Sequence, residues 1–115
     1  MQHTKEEIYQ IVDTGKPYWF VELKDGPKRN DETDAEAAAL QISHLDHLFT
    51  LKKQGKLLLA GPTPKATELR GICIFDGNLS QEDVLEIIEA DPMVKAGRLS
   101  ASIHDFFGIP GDQLR

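Results

Sequence analysis

Residues Gln41 to Pro62 read QISHLDHLFTLKKQGKLLLAGP. Leu45, Leu48, Phe49 and Leu51 fall at the three- and four-residue spacings of one helical face, and Leu40, just upstream, joins them. Gly55 is a natural stop, because glycine takes the left-handed conformation that closes helices. The run Leu57 to Ala60 is short and apolar, so it reads as a strand. The stretch therefore predicts a helix over Ala35–Gln54, a tight reversal and a buried strand.

Upstream, Trp19, Val21 and Leu23 alternate with Tyr18, Phe20 and Glu22, the period of a strand over Tyr18–Lys24. Before it, Thr4 and Glu7 have capping-box spacing ahead of Ile8, Ile11 and Val12, which predicts a short helix from Thr4 to Gly15. Asp25 to Glu36, DGPKRNDETDAE, reads as a polar loop, simply solvated and lacking the spacing of a calcium loop.

Downstream, Gly61–Arg70 reads as a connecting loop and Gly71–Phe75 as a buried strand. Asp76-Gly77-Asn78 is a turn, and Ser80 caps a second helix that carries Glu82 and Asp83 in its first turn. That helix ends near Asp91, because the residue before Pro92 avoids helical geometry. Arg98–Phe107 is a last strand.

After the first helix the order is strand, helix, strand, strand, helix, strand. Residues 1–115 read as one α+β domain: a ferredoxin-like βαββαβ unit with an extra N-terminal helix and a four-stranded antiparallel sheet. Two helices cover one face of the sheet. Tyr18 and Phe20 make the other face apolar as well, which predicts a homodimer formed by a second copy.

Two polar residues intrude on the inward faces. At about 100° per residue, His44 lies within the apolar sector of the first core helix, one turn from Leu40 and Leu48. Gln41, three residues earlier, is its neighbour on that surface, and His47 sits at the margin. In the second helix Val84, Ile88 and Asp91 share the inward face, with Asp91 placed against the helix dipole. An imidazole titrates near neutrality, at about 6.5 when free, which suits proton transfer. A carboxylate on one ring nitrogen would fix the tautomer and leave the other nitrogen for a substrate. The backbone at Gly61 and Pro62 is expected to shape the pocket.

Composition bounds the remaining classes. The 13 basic and 19 acidic side chains leave a net charge of −6, which disfavours nucleic acid and anionic lipid as partners. Cys73 is the only cysteine, so neither an internal disulfide nor a thiolate zinc cage is expected. It reads as a packed small hydrophobe. His3 and His104 read as surface residues. No metal or cofactor is expected. The polar start and the lack of a long apolar run predict a cytoplasmic protein, neither secreted nor membrane-spanning.

Three segments taken together, HLDHLFTLKKQGKLLLAGP, GICIFDG and ADPMVKAG, resemble the YciI-like (YCII-related) family from Tyr18 to Phe107. The resemblance implies ferredoxin-like domains paired into a dimeric α/β barrel. It also implies a pocket in which a histidine and an aspartate face each other, here His44 and Asp91. Where chemistry has been proposed for the family it is proton transfer, in elimination or isomerisation of small, often cyclic, compounds. Members often carry arginine where Gln41 stands, so an anionic substrate group would lose that partner here. Two other readings stand beside the acid–base enzyme: a non-catalytic dimeric module for a small ligand or protein, and a monooxygenase-type dimeric barrel.

Overall fold

The computed structural model describes residues 1–65 and 67–115; Ala66, which the sequence places in the Gly61–Arg70 loop, lies outside the described residues. The elements run α1 (Lys5–Val12), β1 (Lys16–Asp25), α2 (Asp34–Lys53), β2 (Leu57–Pro62), β3 (Leu69–Asp76), α3 (Gln81–Glu89), α4 (Pro92–Lys95) and β4 (Leu99–Gly108). The strands form one antiparallel sheet in the order β2-β3-β1-β4, the ferredoxin-like arrangement.

Local chemistry sets most of the ends. Thr4, Thr33 and Ser80 each accept a backbone N–H three residues on, at 3.1, 3.2 and 3.0 Å. Asp83 answers Ser80 with a second bond, completing a capping box at α3. At the end of α2, Gly55 has φ of 74°, and the amides of Gly55 and Lys56 return to Lys52 and Leu51 at 3.0 and 3.1 Å. This paired bond pattern is a Schellman closure, and an alanine at that φ would be strained. It turns the chain directly into β2.

The core lies between the sheet and the helices. Val21 and Leu23 of β1, Cys73 and Phe75 of β3 and Leu99 of β4 point inward against Leu48 and Leu51 of α2 and Val84 and Ile88 of α3. Burial of each such large side chain contributes roughly 1.5–3 kcal/mol. Trp19 joins the same face and donates its indole N–H to the Leu79 carbonyl at 2.8 Å. Tyr18, Phe20 and Phe106 share the opposite face, with Phe20 and Phe106 ring centres 6.2 Å apart. No helix covers that face. The helix α1 buries none of its residues.

Four expectations need correction. The strands β2 and β3 reach further into the connecting segment than the apolar runs indicated, because ladder pairing of Pro62 with Gly71 carries the hairpin outward. Phe49 is 55% exposed; it lies at the edge of the apolar sector, beneath the Lys52 ammonium, 5.7 Å from the ring centre. The loop after β1 is not wholly solvated. Gly26 and Lys28 donate to the carbonyls of Arg98 and Gly97 at 2.9 and 2.8 Å, and Arg29 and Glu32 are half-buried.

The fourth concerns Asp91. It does not end α3 against the dipole, since Ala90 is the C-cap of that helix. Asp91 instead takes extended geometry before Pro92 and caps a separate turn, α4, where a carboxylate is favoured.

Candidate functional site

The segment Asp91–Arg98 is built as a cap, a turn and a stop. Asp91 Oδ1 accepts the Met93 amide at 2.9 Å, and Pro92 occupies the first helical position, where no amide proton is needed. Gly97, at φ of 76°, closes the turn, with the Arg98 amide returning to the Met93 carbonyl at 2.9 Å. This geometry presents the second carboxylate oxygen of Asp91 to α2. There Oδ2 meets Nδ1 of His44 at 2.6 Å.

Both side chains are deeply buried, at 8% relative exposure for His44 and 3% for Asp91. A carboxylate only accepts hydrogen bonds, so Nδ1 carries a proton, and in the neutral ring Nε2 keeps the lone pair. No described residue bonds Nε2. That atom is not sealed in the packing either, because the ring lines a cavity of about 520 Å³ between α2 and the sheet. Such a volume suits a small cyclic molecule. The arrangement is an oriented base at the wall of a hollow.

The cavity also brings Gln41, Gly61 and Pro62 to its lining. Gln41 is exposed, and its amide bonds no described residue. Gly61 has no positive φ, and a Cβ built on it would meet nothing within 4 Å, so neither backbone strain nor protomer packing demands glycine there.

His47 turns away and donates Nε2–H to the Ile87 carbonyl at 2.9 Å, tying α2 to α3. His104 lies on the uncovered sheet face, 2.7 Å from Glu22. Cys73 is 2% exposed, and burial, with the Asp91 charge nearby, pushes its thiol up to about 12. It is therefore a packed thiol and no nucleophile at neutral pH. Among the described residues no group of three or more His, Cys, Asp or Glu side chains is placed to hold a metal ion.

Sequence reasoning missed three arginines. Arg29 of the loop, Arg70 of β3 and Arg98 before β4 all line the cavity. Arg70 forks onto Asp25 at 2.6 and 3.3 Å, and Arg29 shares the same carboxylate at 3.0 Å. The Arg70 hydrogen bond holds the Asp25 carboxyl below its ordinary range and raises the guanidinium in return. Arg98 Nη1 donates to the Arg29 carbonyl at 2.6 Å and to Glu32 Oε2 at 3.2 Å. Its Nε is buried without a partner. A buried donor left unmet costs on the order of 1–3 kcal/mol. No local pattern marks the three arginines: Arg70 and Arg98 stand at the starts of strands and Arg29 within a loop, positions that carry no information about convergence.

A family model for the YCII-related domain matches residues 19–106. Among solved structures, the chain is similar to 5-chloro-2-hydroxyhydroquinone dehydrochlorinase from Burkholderia phenoliruptrix AC1100, determined in complex with 2,5-dihydroxybenzoquinone. The two share 26% identity over 76% of this chain and 90% of the other, with a TM-score of 0.54. No curated protein matches.

Proposed function

The chain belongs to the YCII-related family, and we propose that it is a small-molecule enzyme of the elimination or isomerisation class. Support comes from the 2.6 Å contact between His44 Nδ1 and Asp91 Oδ2 at the wall of a cavity, and from the likeness to a dehydrochlorinase. In this reading His44 Nε2 is the general base. It takes a proton from a ring C–H or O–H, and the electron pair released expels a leaving group such as chloride. The imidazolium that forms is stabilised by Asp91, which has already set the tautomer. Gln41 hydrogen-bonds a substrate oxygen, and the Gly61–Pro62 backbone bounds the ring. In an isomerisation the same nitrogen returns the proton to a second atom. A positioned base of this kind supplies about 10²–10⁴-fold.

We read residues 1–115 as one domain acting as a cytoplasmic homodimer. Support for pairing is the apolar sheet face of Tyr18, Phe20 and Phe106, which no helix of the protomer covers. Two such sheets face to face make the dimeric α/β barrel.

The test is turnover of chlorinated hydroquinones, read as chloride and proton release. His44→Asn is the informative variant, because its amide nitrogen stands near the place of Nδ1 and still reaches Asp91 while Nε2 is gone. Folding should persist and turnover should fall by about 10²-fold or more. Undiminished turnover would overturn the acid–base role. Tight ligand binding by the native protein without turnover of any member of the panel would favour the non-catalytic module.

A further inference from the structure

We propose that Arg98, seated with Arg29 and Arg70 at the loop-side wall of the cavity, binds a carboxylate or similar oxyanion of the substrate. The proposal deepens the enzyme reading and rests on this cavity being a small-molecule site.

Charge comes first. Three guanidinium groups line the cavity, and they are matched only by Asp25 and Glu32. Lys52 lines it as well, and no Asp or Glu among the described residues does. Asp25 is spent on two arginines at once, with Arg70 taking it in a fork. Burial, and after it the neighbouring charges of Arg70 and Arg98, push the Arg29 guanidinium down, while Asp25 and Glu32 act the other way. A chain with a net charge of −6 has gathered this positive cluster at one cavity. Such a concentration raises the local abundance of anions.

Geometry then singles out Arg98. Its protein contacts all run through Nη1, to the Arg29 carbonyl and to Glu32. Nη2 bonds no described residue and is the donor left for a ligand, whereas Nε is shut off from water and so from a ligand oxygen. A guanidinium N–H held in place makes a short, charge-assisted hydrogen bond to a carboxylate oxygen. The Nη1 bonds meanwhile hold the plane in place, so little side-chain entropy remains to be lost on binding.

The experiment compares two rings that differ by one carboxylate, 2,5-dihydroxybenzoate and hydroquinone, titrated calorimetrically into the full-length protein. The native chain should bind the carboxylate ring at least about tenfold more tightly, with the advantage shrinking as salt rises. Arg98→Met should erase that preference and leave hydroquinone binding unchanged. Glu32→Gln removes the charge that partly neutralises Arg98 and should strengthen binding of the carboxylate ring by about threefold. If Arg98→Met does not fold, Glu32→Gln decides: unchanged or weaker binding overturns the proposal. Equal affinity for the two rings, a preference that survives in folded Arg98→Met, or no binding of either ring at millimolar concentration also overturns it. Loss of turnover in His44→Asn with no carboxylate preference would remove the anion site alone. A carboxylate preference alongside full turnover in His44→Asn would remove the acid–base role alone.

Discussion

Replacing Asp91 separates its two duties. Its Oδ1 caps α4 through the Met93 amide at 2.9 Å, and its Oδ2 holds His44 at 2.6 Å. Alanine removes both. Loss of a cap costs about 1 kcal/mol, and loss of a buried hydrogen bond to a charged group about 1.5–3 kcal/mol. Asp91→Ala should therefore lose roughly 2.5–4 kcal/mol, or about 10–15 °C in Tm for a chain of this size. Asparagine behaves differently. Its carbonyl oxygen still caps Met93, and its amide now donates to Nδ1, which forces the proton to Nε2. Asp91→Asn should lose only about 1 kcal/mol while its histidine points a donor, in place of a lone pair, at the cavity. Urea unfolding gives the stabilities, and nitrogen-15 imidazole spectra report the tautomer directly. Turnover should fall by about 10²-fold or more in Asp91→Asn, since the base is masked. Asp91 does not have these two duties if Asp91→Asn is as unstable as Asp91→Ala, or if its spectrum keeps the Nδ1–H tautomer.

Two further outcomes follow from the buried and charged groups. The Cys73 thiol, pushed up to about 12 by burial, should resist iodoacetamide in the native protein at about pH 8 and react as the chain unfolds in urea; rapid alkylation without denaturant would contradict its packing. Asp25 is held below its ordinary value near 3.8, chiefly by the Arg70 hydrogen bond. Protons then bind the unfolded chain more readily than the folded one. The contribution of Asp25 is complete above about pH 5 and is lost as pH falls through the depressed value. Asp25→Asn should flatten the acid limb of a Tm–pH curve below that point, and an unchanged limb would refute the anchoring of the loop.

Much of the fold was legible because its signals are local. Thr4, Ser80 and Gly55 act on amides and carbonyls within one helical turn of themselves. The alternation of Trp19, Val21 and Leu23 with Tyr18, Phe20 and Glu22 reports a strand without reference to any distant residue. The placement of Asp91 was half legible. Its phase with Val84 and Ile88 put it inward, yet α4 has only four residues, too few to show a period. Its place before Pro92 fits both an inward last residue of one helix and a cap beyond it, and only the structure, where it caps α4, separates the two.

The sequence by itself determined the order of the four strands and two core helices, the caps at Thr4 and Ser80 and the stop at Gly55, the inward placement of His44 and Asp91, and the family. Only the tertiary structure decided that these two side chains meet at 2.6 Å and that the ring also reaches a cavity. It alone brought Arg29, Arg70 and Arg98 to one wall. Helical phase is a property of neighbours three and four residues apart, so it can be read from letters. The arginine cluster depends on β1 pairing with β3 on one side and β4 on the other, which sets Asp25 opposite Leu99 and close to Arg70. Ladder register is settled by packing across the whole sheet, and no local pattern at positions 29, 70 or 98 encodes it.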